Sequence, residues 1–231
     1  MFPNLFTHIA DFDGTLIRNI KGIRTSQHLF DDLAETSDEH ALATIAAEQD
    51  YIDTRAALIT RPFDYGAVIT YPFMPRNWQA TRFSDGTRHG VWYGSLNLET
   101  TVYETVYHWR RFIADSFPDY DGEIRTDRRV FTARCRGILV DLRGKEAICP
   151  DLLHPASYVL THEVGRYMHT QHQNGALVKS ARCDGENGAV LCADVLAEPR
   201  DLCSLTYHFN PVLSDEVEVR RERRKLWMRI E

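Results

Sequence analysis

The chain has 231 residues, 43% of them hydrophobic and 26% charged, with a formal net charge of −6. That is long enough for one large domain with a real core, and no apolar run reaches the roughly 18 residues of a transmembrane helix. The acidic balance argues against broad nucleic-acid binding, which needs a basic footprint. The five cysteines (Cys135, Cys149, Cys183, Cys192, Cys203) are odd in number and lack C-x-x-C spacing. They read as reduced thiols, not as a disulfide framework or zinc site. The opening M-F-P-N-L-F-T-H-I-A has neither the basic n-region nor the long apolar h-region of a signal peptide, so a cytoplasmic protein is expected.

The first motif is D-F-D-G-T-L, Asp11 to Leu16. It matches the opening of the haloacid-dehalogenase phosphohydrolases, where one Asp is phosphorylated, the next acts as acid/base and Mg²⁺ bridges carboxylate and phosphate. That chemistry also needs a later carboxylate pair, commonly G-D-x-x-x-D after an apolar strand, and a lysine against the phosphoaspartate. No such pair follows any apolar run here, and Lys21, Lys145, Lys179 and Lys225 lie in no matching context. Thr7 and His8 also interrupt the preceding strand. Asp13 and Thr15 are therefore expected to form a capping turn that opens a helix.

Residues 26–59 carry helical patterning, with Leu29, Phe30 and Leu33 and then Leu42, Ile45 and Ala46 at spacings of three and four. Ser37 is a candidate N-cap, with Asp38 and Glu39 in the first turn. From Arg61 the texture turns to aromatics, prolines and glycine, which predicts short strands and loops. Gly90–Ser95 reads as a strand feeding the best helix in the chain, about Glu99 to Ser116, whose apolar stripe is Val102, Val106, Trp109 and Ile113. Strands are predicted at Arg129–Ala133 and Ile138–Leu142, then a helix near Ala156–Gln173. Further strands are predicted at Gly175–Lys179, Ala189–Ala193 and Cys203–Phe209, with a closing hairpin at the end. No repeat or Gly/Ser linker divides the chain. The expectation is an α/β (α+β) fold with a mostly helical N-terminal segment, 1–60, packed on a main domain, 61–231.

Four side chains are candidates for chemistry. Glu104 points away from the stripe of its helix, among Tyr103, Tyr107, His108 and Trp109, an aromatic surround that suits a cleft better than water. Arg82 closes a strand before the Asp85-Gly86 turn and offers a guanidinium fork for an anion, with Arg61 a weaker second fork. Tyr93, in V-W-Y-G-S, offers a flat stacking surface with a polar tip. Ser180 ends the apolar run A-L-V-K at a turn, and without a G-x-S-x-G elbow it does not read as a hydrolase nucleophile. His162-Glu163 lacks the second histidine of H-E-x-x-H, and His169 and His172 read as a solvated face. Arginine, tyrosine, carboxylate and hydroxyl without a metal site suit cleavage of the nicotinamide–ribose bond of NAD. Its leaving group is already cationic, and its oxocarbenium-like state is stabilised by a carboxylate.

The segments R-F-S-D-G, V-W-Y-G-S, T-x-x-E-T-V-Y-H and G-A-L-V-K-S-A-R, in that order, resemble the RES domain family, named for its Arg, Glu and Ser. Phe2 to Ala10 fits an N-terminal segment of that family too. The resemblance implies a fold similar to ADP-ribosyltransferase toxins and an NAD-consuming toxin. Some members split NAD by phosphorolysis to ADP-ribose-1″-phosphate and nicotinamide. It implies Arg82 and Glu104 as the central catalytic pair, Tyr93 as the aromatic partner, Ser180 as the named serine and Arg61 as the first arginine, although Pro62 stands where a tyrosine often follows. NAD is then the substrate, inorganic phosphate the co-substrate, and no metal is required. A helix-turn-helix antitoxin is the candidate partner and a homodimer the candidate assembly, with no direct nucleic-acid or membrane contact. The alternatives are a Mg²⁺-dependent phosphohydrolase using Asp11 and Asp13, and an inactive RES-like binding scaffold.

Overall fold

The structure, a computed structural model, describes residues 4–21, 65–118, 120–221 and 225–231. The helices expected across 26–59, and Arg61, lie outside the described residues.

The strands are β1 (Ile9–Lys21), β2 (Ala80–Thr81), β3 (Ser84–Asp85), β4 (Trp92–Ser95), β5 (Ile124–Asp141), β6 (Gly175–Lys179), β7 (Glu186–Val190), β8 (Leu196–Phe209), β9 (Val217–Arg221) and β10 (Lys225–Ile230). The helices are α1 (Tyr65–Thr70), α2 (Leu98–Ser116) and α3 (Val159–Thr170). Eight strands form one sheet in the order β1-β4-β7-β6-β5-β8-β9-β10, and β1 also pairs with β5, so the pairings β1–β4–β7–β6–β5 return on themselves. Among the described strands only β5 and β6 run parallel, through Val140↔Ala176 and Asp141↔Leu177. A mixed sheet with few helices makes this an α+β fold. Among the described residues no helix is long and apolar enough to cross a membrane.

One expectation is corrected here. The D-F-D-G-T-L segment is neither a cap nor the start of a helix, because it lies inside β1, paired with β5 over the whole run from Ile9↔Val140 to Lys21↔Arg128. Its side chains alternate, with Asp11, Asp13 and Thr15 exposed and Leu16 buried, which is the period of a half-buried strand. β1 pairs with β4 and β5, so it shares one sheet with strands beyond residue 60. Elsewhere, Arg129–Ala133 and all but the last residue of Ile138–Leu142 are stretches of the single strand β5, and β8 starts seven residues before Cys203, at Leu196. The strand Gly175–Lys179 and the closing hairpin of β9 and β10 match the reading of the sequence.

Three clusters form the core. One face of α2 (Val102, Val106, Ile113) packs on Val130, Leu205, Tyr207 and Val219 of the sheet. Val164 and Met168 of α3 pack with Phe83, Leu142 and Ala176. Leu16, Trp92, Cys135, Leu177 and Val190 fill the space within the strand circuit. Thus α2 and α3 are both anchored on the sheet.

Candidate active site

Strand β4 passes almost directly into α2, and Asn97 between them caps the helix by accepting from the Thr100 amide at 2.8 Å and the Thr100 hydroxyl at 2.7 Å. The turn joining β6 to β7 presses on this first helical turn. A Cβ on Gly185 would stand 1.9 Å from Thr100 Oγ1, so only glycine permits the approach. The approach carries Ser180, which is 5% exposed, against Glu104 one turn further along α2. Ser180 donates to Glu104 Oε1 at 2.7 Å and accepts from the Arg182 amide at 3.0 Å. Its single hydroxyl proton is committed to the carboxylate.

Helix α3 positions Arg82 in a similar way. A Cβ on Gly165 would lie 1.9 Å from the Phe83 carbonyl oxygen, and His162 Nε2 donates to the Thr81 carbonyl at 2.8 Å. Held between these contacts, Arg82 donates through Nη1 to the carbonyls of Leu152 (3.1 Å) and His154 (3.0 Å) and lies 4.7 Å from the centre of the Tyr158 ring. Part of the fork is thus engaged with backbone. Tyr93 accepts from the Phe83 amide at 2.9 Å through its hydroxyl, and burial pushes that hydroxyl far above the ordinary tyrosine range.

Arg82, Tyr93 and Glu104 line one cleft of about 430 Å³, together with Arg18, Asn19, Gln79, His108, Tyr158, Lys179 and Asn187. Ser180 stands behind Glu104 and is not among the lining residues. Among the described lining residues Glu104 is the only carboxylate, in a cleft it shares with Arg18, Arg82 and Lys179. Among the described residues neither Arg18 nor Arg82 has a carboxylate partner. Lys179 is loosely paired with Glu146 at 3.8 Å and Asp184 at 3.7 Å.

Arg18 and Asn187 are among the lining residues that escaped the reading of the sequence, as is Tyr158. Arg18 of β1 donates through Nη1 to the Tyr93 carbonyl at 3.2 Å, sits 5.2 Å from the Trp92 ring centre, and has a buried Nε without a hydrogen-bond partner. Burial pulls this guanidinium down to about 10. The available signal was its position two residues from buried Leu16, on the core face of a strand, where an arginine is out of place. Asn187 of β7 donates through Nδ2 to Glu104 Oε1 at 2.8 Å and accepts from the Ser95 hydroxyl at 2.6 Å. Its sequence context, E-N-G-A-V, gave no comparable signal.

Asp11 and Asp13 do not reach the cleft. Asp13 is held by Arg134, with Nε–Oδ1 at 2.9 Å and Nη2–Oδ2 at 3.0 Å, and that guanidinium keeps its carboxyl below the usual range. Both aspartates are paired along the β1–β5 ladder, which gives no support to the alternative phosphohydrolase reading. His169 and His172 are exposed, as expected, and the His169 ring also stacks on buried His89, with centroids 4.6 Å apart and planes at 11°.

The family model for the RES domain matches residues 55–210. No curated protein matches the chain. Among solved structures it is similar to the crystal structure of the M. tuberculosis MbcT–MbcA toxin–antitoxin complex, at 13% identity and a TM-score of 0.47, over 84% of this chain and 86% of that one.

Proposed function

The chain belongs to the RES domain family, and from that premise we propose that it is an NAD-degrading enzyme that cleaves the nicotinamide–ribose bond. The observation that carries the reading is a cleft in which, among the described residues, the one carboxylate, Glu104, is set with two guanidinium groups that have no carboxylate of their own. A dinucleotide joined by a pyrophosphate, with a cationic ring at one end, complements that charge pattern. Arg82 and Arg18 take the phosphates, and an anion offsets the cost of keeping the Arg18 cation buried. Tyr93 and Tyr158 give the flat rings aromatic surface. Arg61 belongs to the same proposal as a further anion contact from the segment before α1.

In the reaction the C1″–N bond breaks with its electron pair leaving on nicotinamide, which departs neutral. Glu104 stabilises the oxocarbenium-like ribosyl group by its charge and by accepting a ribose hydroxyl proton in a hydrogen bond. An oxygen of inorganic phosphate then closes on C1″ to give ADP-ribose-1″-phosphate. Ser180 acts by holding Glu104, not as a nucleophile. In the cell this activity suits the toxin of a toxin–antitoxin pair, restrained by a helix-turn-helix antitoxin. The test is nicotinamide release from NAD by the purified protein, with and without phosphate and in the presence of a chelator. Phosphate-stimulated release insensitive to chelator is expected. No release under any of these conditions sinks the proposal and favours the binding scaffold.

A further inference from the structure

We infer that Asn187, held by Ser95, is a positioning residue that fixes Glu104 and makes Oε2 its working oxygen. The inference rests on the reading of Glu104 as the working carboxylate. Oε1 takes two hydrogen bonds, from Ser180 Oγ at 2.7 Å and from Asn187 Nδ2 at 2.8 Å. A carboxylate oxygen has two in-plane lone pairs, so these donors occupy the sites available on Oε1. A proton, or the hydroxyl of a bound sugar, therefore meets Glu104 at Oε2.

The direction of the Asn187 amide is fixed from both ends. A carboxylate only accepts, so Nδ2 must face Glu104. Oδ1 then faces Ser95, which must donate its one proton at 2.6 Å. Ser95 and Asn187 lie side by side on paired strands, in the register Ser95↔Asn187, and are 3% and 8% exposed. Buried side chains locked in place by packing and by each other lose little freedom in holding the carboxylate, which is how a rigid shell fixes a reacting group. The relay also couples the strand β4 that presents Tyr93 to the helix that presents Glu104.

Removing the Asn187 donor lets the Glu104 carboxylate turn, which loosens a transition-state contact while the ground-state contacts to NAD stay in place. Asn187→Ala should therefore lower kcat for nicotinamide release by on the order of tenfold, with KM for NAD nearly unchanged. Ser95→Ala leaves Nδ2 in place but frees the amide to rotate, so it should lower kcat less, in the same direction. A direct readout that needs no turnover is the carboxyl ¹³C resonance of Glu104, assigned by the signal lost in Glu104→Gln, which should move or broaden in both variants. Should wild type fail to cleave NAD, the function proposed above fails, while the resonance still decides this one. An unchanged Glu104 resonance in both Asn187→Ala and Ser95→Ala overturns the inference, as does an Asn187→Ala defect confined to KM. If Asn187→Ala does not fold, Ser95→Ala alone decides.

Discussion

Replacing Glu104 by glutamine separates charge from shape at the centre of the cleft. The donors from Ser180 and Asn187, at 2.7 and 2.8 Å, require an acceptor at the position of Oε1, so the new amide must place its carbonyl oxygen there. Its NH₂ group then replaces Oε2 and faces the cleft. No buried donor is stranded and no volume is lost, so the variant should fold, melt and bind NAD much as wild type does. What disappears is the negative charge next to the ribosyl centre. Removing one preorganised electrostatic group of this kind costs on the order of 3–4 kcal/mol of barrier, roughly 10²–10³ in rate. Glu104→Ala is the informative contrast, because it abandons both donors and adds a stability cost of about 1–3 kcal/mol for each one left unsatisfied. The assay is nicotinamide release at saturating NAD, beside calorimetric NAD binding and thermal melting of each variant. A Glu104→Gln protein that folds, binds and turns over at the wild-type rate refutes the electrostatic role of the carboxylate.

Arg82→Ala should raise KM more than it lowers kcat, since the fork contacts ground and transition states alike. It should also lower Tm by roughly 2–6 °C, because the Leu152 and His154 carbonyls lose their donor, and the melting curve and the KM are read on the same preparation. Gly185→Ala forces a Cβ to within 1.9 Å of Thr100 Oγ1, so the turn must move away from α2. Overpacking of this kind costs about 1–3 kcal/mol. Turnover should fall along with Tm as Ser180 leaves Glu104, and a variant with both parameters unchanged contradicts the account of how the turn is seated. Asp11→Asn and Asp13→Asn should leave nicotinamide release unchanged. Magnesium-dependent hydrolysis of a phosphate ester, abolished by Asp11→Asn, is the opposite outcome.

What the sequence made legible was periodicity on one element, and what it concealed was pairing between distant ones. Helix α2 was readable to within a residue of its start because Val102, Val106, Trp109 and Ile113 repeat at helical spacing. Strand β5 looked like two strands because Arg134, Arg136 and Gly137 interrupt its apolar run. In the fold those residues stay in the ladder opposite Thr15, Asp13 and Phe12, and Arg134 finds its partner in Asp13. The early part of β8 was hidden by A-E-P-R-D. The ladder there is irregular, shifting register between Thr132 and Arg134, and Glu198 adopts φ 49°, a left-handed conformation that suits a bulge. A charged, proline-containing bulge has the composition of a loop although it is part of a sheet.

The site divides along the same line. Arg82, Tyr93 and Glu104 lie within 22 residues of each other, so one local motif could announce all three. Arg18 reaches the cleft only because β1, 75 residues before Tyr93, is carried next to β4 by its pairing Ile17↔Ser95. Asn187 reaches Glu104 across 83 residues, because β7 lies against β4. Neither strand alone contains information about the other. The D-F-D-G-T-L motif is the same effect in reverse. As a string it specifies a phosphoaspartate loop, but Asp11, Asp13 and Thr15 alternate with Phe12, Gly14 and Leu16. A complete antiparallel partner in β5 converts that alternation into one exposed and one inward face. Whether two aspartates in this pattern are chemistry or surface is decided by the strand next to them. Here that strand brings Arg134 to Asp13 and seals the ladder on which Arg18, five residues further along β1, is carried into the cleft.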